Sequence, residues 1–279
     1  MKLTIEHETH YAYSAPLQYA LQQLCLTPPS NAHQRVLAWR VHAPATLYGQ
    51  RDGWGNLAHS WSLTHQKSAP RIYRGSVRAA GRVVTRPSPE LVDEAGDPHP
   101  LLYLRATPLT GPDDRLTELG RAHLKRGASA DALLSLAAAV RERVRYQAGV
   151  TGVATSAGQA LTLGAGVCQD QAHVFVAACR AAGLPARYVS GYFHSPAAPQ
   201  LASHAWADVC LDAGARRWLS VDVTHDGLMD ARHVRLAVGP DYTACAPVRG
   251  VREGGGDETM RVDVRIAVAA DAEEALLEP

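Results

Sequence analysis

A chain of 279 residues is longer than one hydrophobic core usually fills, so two domains are expected. Hydrophobic residues at 46% and charged residues at 20% describe a globular chain rather than a disordered one. With 28 Lys and Arg against 27 Asp and Glu the net charge is +1, which gives no electrostatic reason to expect nucleic acid or an anionic membrane as partner.

The opening "MKLTIEHETHYAY" has no apolar h-region and no cleavage site, so no secretory signal is expected. No apolar run reaches the roughly 18 residues that a membrane-spanning helix requires. Five cysteines (Cys25, Cys168, Cys179, Cys210 and Cys245) are scattered without a C-x-x-C. Neither a disulfide framework nor a zinc knuckle is expected, and a cytoplasmic location fits.

Residues 1–86 read as a β-rich domain. "LTIEHETHYAY" alternates polar and apolar side chains, and "LQQLCLTPP", "RVLAWRVHAP" and "LAHSWSLTH" are short runs bounded by Pro, Gly or Asn, which suggests a small sandwich or barrel. "DGWGN" at 52–56 is a turn, and Trp39, Trp54 and Trp61 are core candidates. Residues 87–112, rich in proline and acids near "RPSPELVDEAGDPHP", read as a linker or crossover. Residues 113–279 form the second expected domain. "DDRLTELGRAHLKRG" has acids first, bases last and a closing glycine, and "SADALLSLAAAVRERVRY" opens on a serine cap. A third helix starts near Cys168 and ends at Gly183, followed by Pro185. The strand-like runs "ARYVSGYF", "SHAWADVCL", "RWLSVDV" and "TMRVDVRIAVA" then complete an α+β class with an antiparallel sheet.

Cys168 follows a glycine-rich turn, "GAGVCQDQAHVFVAACRAAGLPARYVSGY". A thiol in the first helical turn feels the positive end of the helix, which favours its thiolate. The apolar interior from Ala172 to Cys179 predicts a buried helix and therefore a rigid mount for the thiol. Period-two reading puts His204, Trp206, Asp208 and Cys210 on one face of their strand, and Trp218, Ser220 and Asp222 on one face of the next. A hairpin centred on Ala213 sets His204 opposite Asp222, whereas one centred on Gly214 makes them diagonal neighbours. Both share a face, with no bulge indicated. Cys168, His204 and Asp222 are then a nucleophile, a base and an orienter.

Each residue alone has a bland reading: a packed cysteine, a surface histidine, an aspartate at a strand end. Cys179 and Cys210 are read as packing. Taken together, "TSAGQAL", the cysteine segment, "HAW" and "WLSVDVTH" resemble the core of the bacterial transglutaminase-like superfamily, whose β-rich N-terminal region would match residues 1–86. That resemblance implies a papain-like fold carrying a Cys, His, Asp triad at Cys168, His204 and Asp222. The usual D-P-T-N motif is here "DVTH", Asp222 to His225. This substitution is expected to keep the carboxylate in place while altering the loop after it. Gln159 and the Cys168 backbone N–H are the candidate oxyanion donors.

"HETH" at 7–10 puts its two histidines on opposite strand faces and is not a zinc motif. No calcium loop or phosphate-binding helix start appears, so no cofactor and no metal are expected. The expected function is cysteine-dependent acyl transfer on peptide or isopeptide amides through a thioester, resolved by water, with a peptide or protein substrate as partner. The alternatives are amine transfer to protein glutamine, or a non-catalytic protein-binding module on the same fold. A third class, a metal-binding protein built on Cys168 and His204, lacks ligand spacing.

Overall fold

The computed structural model describes residues 1–65, 71–125, 127–197 and 203–269. The first part of the chain forms β1 (Lys2–Leu24), β2 (Gln34–His42), β3 (Tyr48–Arg51), β4 (Leu57–Thr64) and β5 (Ile72–Thr85). Alternation in β1 buries Leu3, Ile5, His7, Thr9 and Tyr11, as period-two patterning requires. The two runs read as separate short strands are one strand of 23 residues. Its register against β5 shifts between Ala12 and Leu17, around Pro16, which has no amide hydrogen to give the ladder.

The chain then runs through β6 (Glu90–Val92), α1 (Asp114–Leu124), α2 (Ala130–Arg143), β7 (Arg145–Tyr146), α3 (Ala157–Leu163), β8 (Ala165–Gly166) and α4 (Cys168–Ala181). Next come β9 (Ala186–Phe193), β10 (Ser203–Asp212), β11 (Arg217–Asp222), β12 (Gly227–Leu228), β13 (His233–Gly239) and α5 (Tyr242–Cys245). It closes with β14 (Val248–Gly254) and β15 (Glu258–Val268). These last two strands do not join the second sheet. β15 pairs with the first half of β1 and β14 with its second half, opposite β5 and β4.

The expected grouping of residues 113–279 is corrected at this point. β4 and β5 give each half of β1 one neighbour, and the returning strands satisfy the backbone groups of its other edge. The result is a seven-stranded sheet in which two arms share β1. Leu3, Ile5, Leu17, Leu24, Trp61, Val77 and Val83 form its hydrophobic cluster, joined by Tyr192, Val234 and Leu236 from the second sheet.

That second sheet has the order β12-β11-β10-β9-β13, with β6 added on β11, so the 87–112 segment contributes a strand rather than acting only as a linker. The helices start where their caps stand: Asp113 accepts from the Leu116 amide (2.9 Å) and Ser129 from the Ala132 amide (3.2 Å). α4 is buried from Asp170 to Arg180, as its apolar interior predicted. Beyond it Gly183 adopts φ +82°, the left-handed residue that ends many helices. The Leu184 amide turns back to the Cys179 carbonyl at 3.0 Å.

α1 reaches α4 through Gly120, where an added Cβ would stand 2.2 Å from the Ala178 carbonyl oxygen. Backbone on both sides leaves no flexible side chain to move aside. Gly120→Ala is therefore expected to destabilise the protein by about 1–3 kcal/mol despite alanine's better helix propensity. Urea unfolding monitored by circular dichroism measures this, and an unchanged midpoint would refute the close packing of α1 on α4.

Candidate active site

Cys168 is the first residue of α4, and the turn before it is built to hold it there. The Asp170 carboxylate accepts from the Val167 amide (2.7 Å) and the Thr151 hydroxyl (2.6 Å). A Cβ on Gly166 would stand 2.6 Å from that carboxylate, so glycine is required where the turn closes over it. Gln171 ties the helix to its surroundings: its Nε2 donates to the Val144 carbonyl at 2.8 Å and its Oε1 accepts from the Thr224 hydroxyl at 2.7 Å.

The β10–β11 ladder pairs Asp208 with Ser220 and Cys210 with Trp218, which is the register centred on Gly214. A bulge between Cys210 and Asp212, not expected from the sequence, absorbs the odd residue before the turn. His204 and Asp222 are thus diagonal, and their side chains close the gap: His204 Nε2 lies 2.8 Å from Asp222 Oδ2. An ionised carboxylate only accepts, so His204 donates from Nε2 and its Nδ1 is left for the Cys168 thiol, whose sulfur interacts with the ring.

Two further histidines, both missed in the sequence, meet the same carboxylate oxygen. His225 Nδ1 and His233 Nε2 each lie 2.8 Å from Asp222 Oδ2. The His225 amide also donates to Oδ1 at 3.2 Å. The departure from D-P-T-N therefore leaves the carboxylate in place, as expected, and supplies it with another donor. Phe193 packs against all three rings, at centroid distances of 3.8 Å to His225, 4.8 Å to His233 and 5.4 Å to His204.

Burial alone would depress the His204 imidazole. The Asp222 charge and hydrogen bond, then the Cys168 sulfur, outweigh it and carry its pKa above the usual value. Burial would conversely raise Asp222, but His204 and the other two histidine hydrogen bonds hold it well below the usual carboxylate range. The His204, Asp222 and His225 donor atoms lie within 4.8 Å of one another, a spacing a cation could use. Those nitrogens already serve the carboxylate, so a cation there would have to displace N–H donors.

Gln159 does not reach this place. Its side-chain carbonyl accepts from the Ser156 amide (2.8 Å) while the Ser156 hydroxyl accepts from the Gln159 amide (3.3 Å). This is a capping box for α3, and the S-x-x-Q spacing of "SAGQ" was the readable signal for it. The expectation of Gln159 as an oxyanion donor is corrected accordingly. Tyr146 stands nearer in topology, paired with Gly166 two residues before the thiol. Burial and then the Cys168 charge push its phenol pKa up. Asp226, the other acid after β11, pairs with Arg141 at the surface (2.7 Å).

Cys168 and His204 open onto a cavity of about 310 Å³. A second cavity of about 290 Å³ is lined by Asp93, Arg187 and Arg235. Its charges are mutually paired: Arg187 bonds Asp93 and Asp208 at 2.8 Å each, and Arg235 bonds Asp208 at 2.6 Å. That network braces the sheet and offers no nucleophile.

A thiol, an imidazole and a carboxylate on a helix packed against an antiparallel sheet define the papain-like class of cysteine architectures. The comparisons name the family. Residues 121–223 match the transglutaminase-like superfamily core and residues 3–77 the bacterial transglutaminase-like N-terminal region. The chain belongs to this superfamily. It is 30% identical over 282 residues to the uncharacterized protein ML0607 of Mycobacterium leprae, covering 95% of this chain and 98% of that one. It is also 30% identical over 300 residues to the uncharacterized protein Rv2569c of Mycobacterium tuberculosis, covering 98% and 94%. A solved structure titled "Putative Cysteine Protease", from Cytophaga hutchinsonii, superposes with a TM-score of 0.74 at 20% identity over 96% of this chain and 90% of that chain. The fold is thus that of the transglutaminase-like superfamily.

The other thiols differ from Cys168 in exposure. Cys25, Cys179, Cys210 and Cys245 are buried while Cys168 is partly exposed. Burial raises all four of the others, Cys25 to about 11. Iodoacetamide at mildly acidic pH is expected to modify Cys168 first. Peptide mass spectrometry reads the order, and equal labelling of any buried cysteine would count against Cys168 as the reactive thiol.

Proposed function

We propose that the protein is a cysteine-dependent acyl-transfer enzyme that hydrolyses peptide or isopeptide amides, with Cys168 as nucleophile, His204 as base and acid, and Asp222 as orienter. The observation that carries this reading is the His204 ring held at 2.8 Å by Asp222 with its other nitrogen left for the thiol. His204 Nδ1 takes the Cys168 proton as sulfur bonds to the amide carbonyl carbon, and the carbonyl oxygen becomes an oxyanion. The Cys168 backbone N–H is its first donor, because amides in the opening turn of a helix have no intrahelical acceptor. The Tyr146 hydroxyl is our assignment for the second.

His204 then passes its proton to the departing nitrogen as the carbon–nitrogen bond breaks, leaving a thioester on Cys168. Water attacks that thioester with its proton going to His204. The carbon–sulfur bond breaks, the acid leaves, and sulfur recovers its proton. No step calls on a metal. Asp222 keeps the imidazole in the tautomer that faces sulfur and stabilises the imidazolium between the two proton transfers. We also propose a cytoplasmic location, in keeping with five unpaired cysteines.

Cys168→Ala is expected to reduce kcat by about 10⁴-fold or more with its melting temperature nearly unchanged. His204→Ala is expected to cost as much in kcat while also lowering the melting temperature, because it takes a donor from the buried Asp222 carboxylate. Asp222→Asn retains part of the activity, and Tyr146→Phe loses about 10²-fold in kcat. A glutamine and glutamyl peptide panel with excess primary amine, followed for free acid and amide adduct with and without chelator, is the assay. Acid is expected to dominate in both conditions. Dominant adduct would replace hydrolysis with amine transfer, and chelator-sensitive activity would reveal a metal requirement.

The raised His204 pKa also sets the pH response. His204 must be neutral to take the thiol proton, so activity rises as pH rises through that raised value. The acid limb of kcat/KM is therefore expected above about 6.5, the ordinary histidine value. Asp222→Asn removes the charge that raises it, so the limb moves to lower pH. A limb unmoved by that substitution would dissociate Asp222 from His204.

A further inference from the structure

The cavity at Cys168 is not built by the second sheet alone. Ser190, Ser203 and Ala205 line it from β9 and β10, while His7 and Thr9 of β1 and Met260 and Val262 of β15 line it from the first sheet. The register explains why these four line the same cavity. Thr9 pairs with Val262, and His7 lies two residues along the same face of β1. His7 is fixed there by Tyr192 of β9, whose hydroxyl lies 2.8 Å from its Nδ1, and by the Thr9 hydroxyl at 3.3 Å from Nε2.

Met260 and Val262 are 57% and 44% exposed, large apolar side chains left in solvent at the rim of this cavity. Among the described residues that line it there is no Asp, Glu, Lys or Arg. Burial also lowers the His7 pKa to about 4, so its ring is neutral over the working range. Apart from the Cys168 and His204 pair, a charged side chain entering would lose water without finding a counter-charge.

We propose that the N-terminal sheet, with the strand that returns to it, is a specificity wall of the active site, selecting acyl donors whose side chain beside the scissile amide is uncharged and apolar. Met260 and Val262 are its specificity-determining residues, covering that side chain while His7 and Thr9 form the floor. This inference rests on the proposed thiol chemistry and adds the substrate class to it. It gives the N-terminal region a part in selection that no motif in residues 1–86 announced.

The test uses Cys168 itself as the reporter. Chloroacetamides of equal length bearing a butyl, an aminoalkyl or a carboxyalkyl tail are reacted with the intact protein. Mass spectrometry gives each rate of Cys168 alkylation relative to iodoacetamide. The butyl reagent is expected to react about tenfold faster than either charged one, the discrimination that a hydrophobic pocket typically provides. In Val262→Glu and in Met260→Glu the preference for the butyl over the cationic reagent, each rate taken relative to iodoacetamide on the same variant, is expected to shrink about tenfold. Both substitutions are at exposed positions, and the comparison of tails on the native protein requires no variant to fold. Selective iodoacetamide labelling of Cys168 with no preference among the tails overturns the wall and leaves the nucleophile standing. Variants that keep the native preference also overturn it. Failure of iodoacetamide to prefer Cys168 removes the thiol reading and this inference together.

Discussion

One buried carboxylate oxygen organises the end of the molecule that holds Cys168. Asp222 is 1% exposed, and an anion taken out of water is tolerated only when donors replace the hydration it loses. Its donors come from three places in the chain: His204 at the start of β10, His225 in the turn after β11, and His233 at the start of β13. Satisfying that one oxygen fixes three segments relative to one another. Phe193 packs against the same rings, so the buried imidazoles of His204 and His233 are held by polar and apolar contacts together. The Thr224 bond to Gln171 carries the same constraint into α4, and through it to the position of Cys168.

The parts of this arrangement that follow local periodicity were legible in the sequence. The apolar interior of α4, the shared face of His204 and Asp222, and the cap at Ser129 all depend on spacing within one element or one hairpin. His225 was visible as a departure from a motif, but its bond to Asp222 depends on how the turn closes. His233 lies 11 residues beyond Asp222 on a strand that pairs with β9 rather than β11, and no spacing rule connects them. The return of β14 and β15 to β1 was hidden for a related reason. Alternation shows which face of a strand is buried but does not name its neighbour. Pro16 and the polar residues around it also disguised one long strand as two.

Long pairing of this kind is what lets the N-terminal sheet reach the site. β1 is long enough to take neighbours on both edges along its length, and its buried face continues through His7 and Thr9 toward β9. Tyr192 belongs to both bodies: its ring packs in the first sheet's cluster and its hydroxyl meets His7. Gln34 adds a second tie, donating to the Arg235 carbonyl at 2.9 Å and accepting from its amide at 2.8 Å. The two sheets therefore share a packed boundary at the cavity.

The second sheet holds two buried anions on one face of neighbouring strands, and their partners differ in a way that suits different tasks. Asp208 is surrounded by Arg187, Arg235 and the Ser220 hydroxyl. Burial would raise its carboxyl, but the guanidinium charges hold it far below the usual range. Guanidinium groups do not give up a proton at any working pH, so that cluster is electrostatically fixed and can only brace. Asp222 has imidazoles in the corresponding role, and an imidazole gains or loses its proton near neutrality. The same requirement, a buried carboxylate and its donors, thus yields a permanent brace four residues along β10 from a site where a proton can move. His204 has both Asp222 and the Cys168 sulfur for partners, so its ring connects the carboxylate to sulfur.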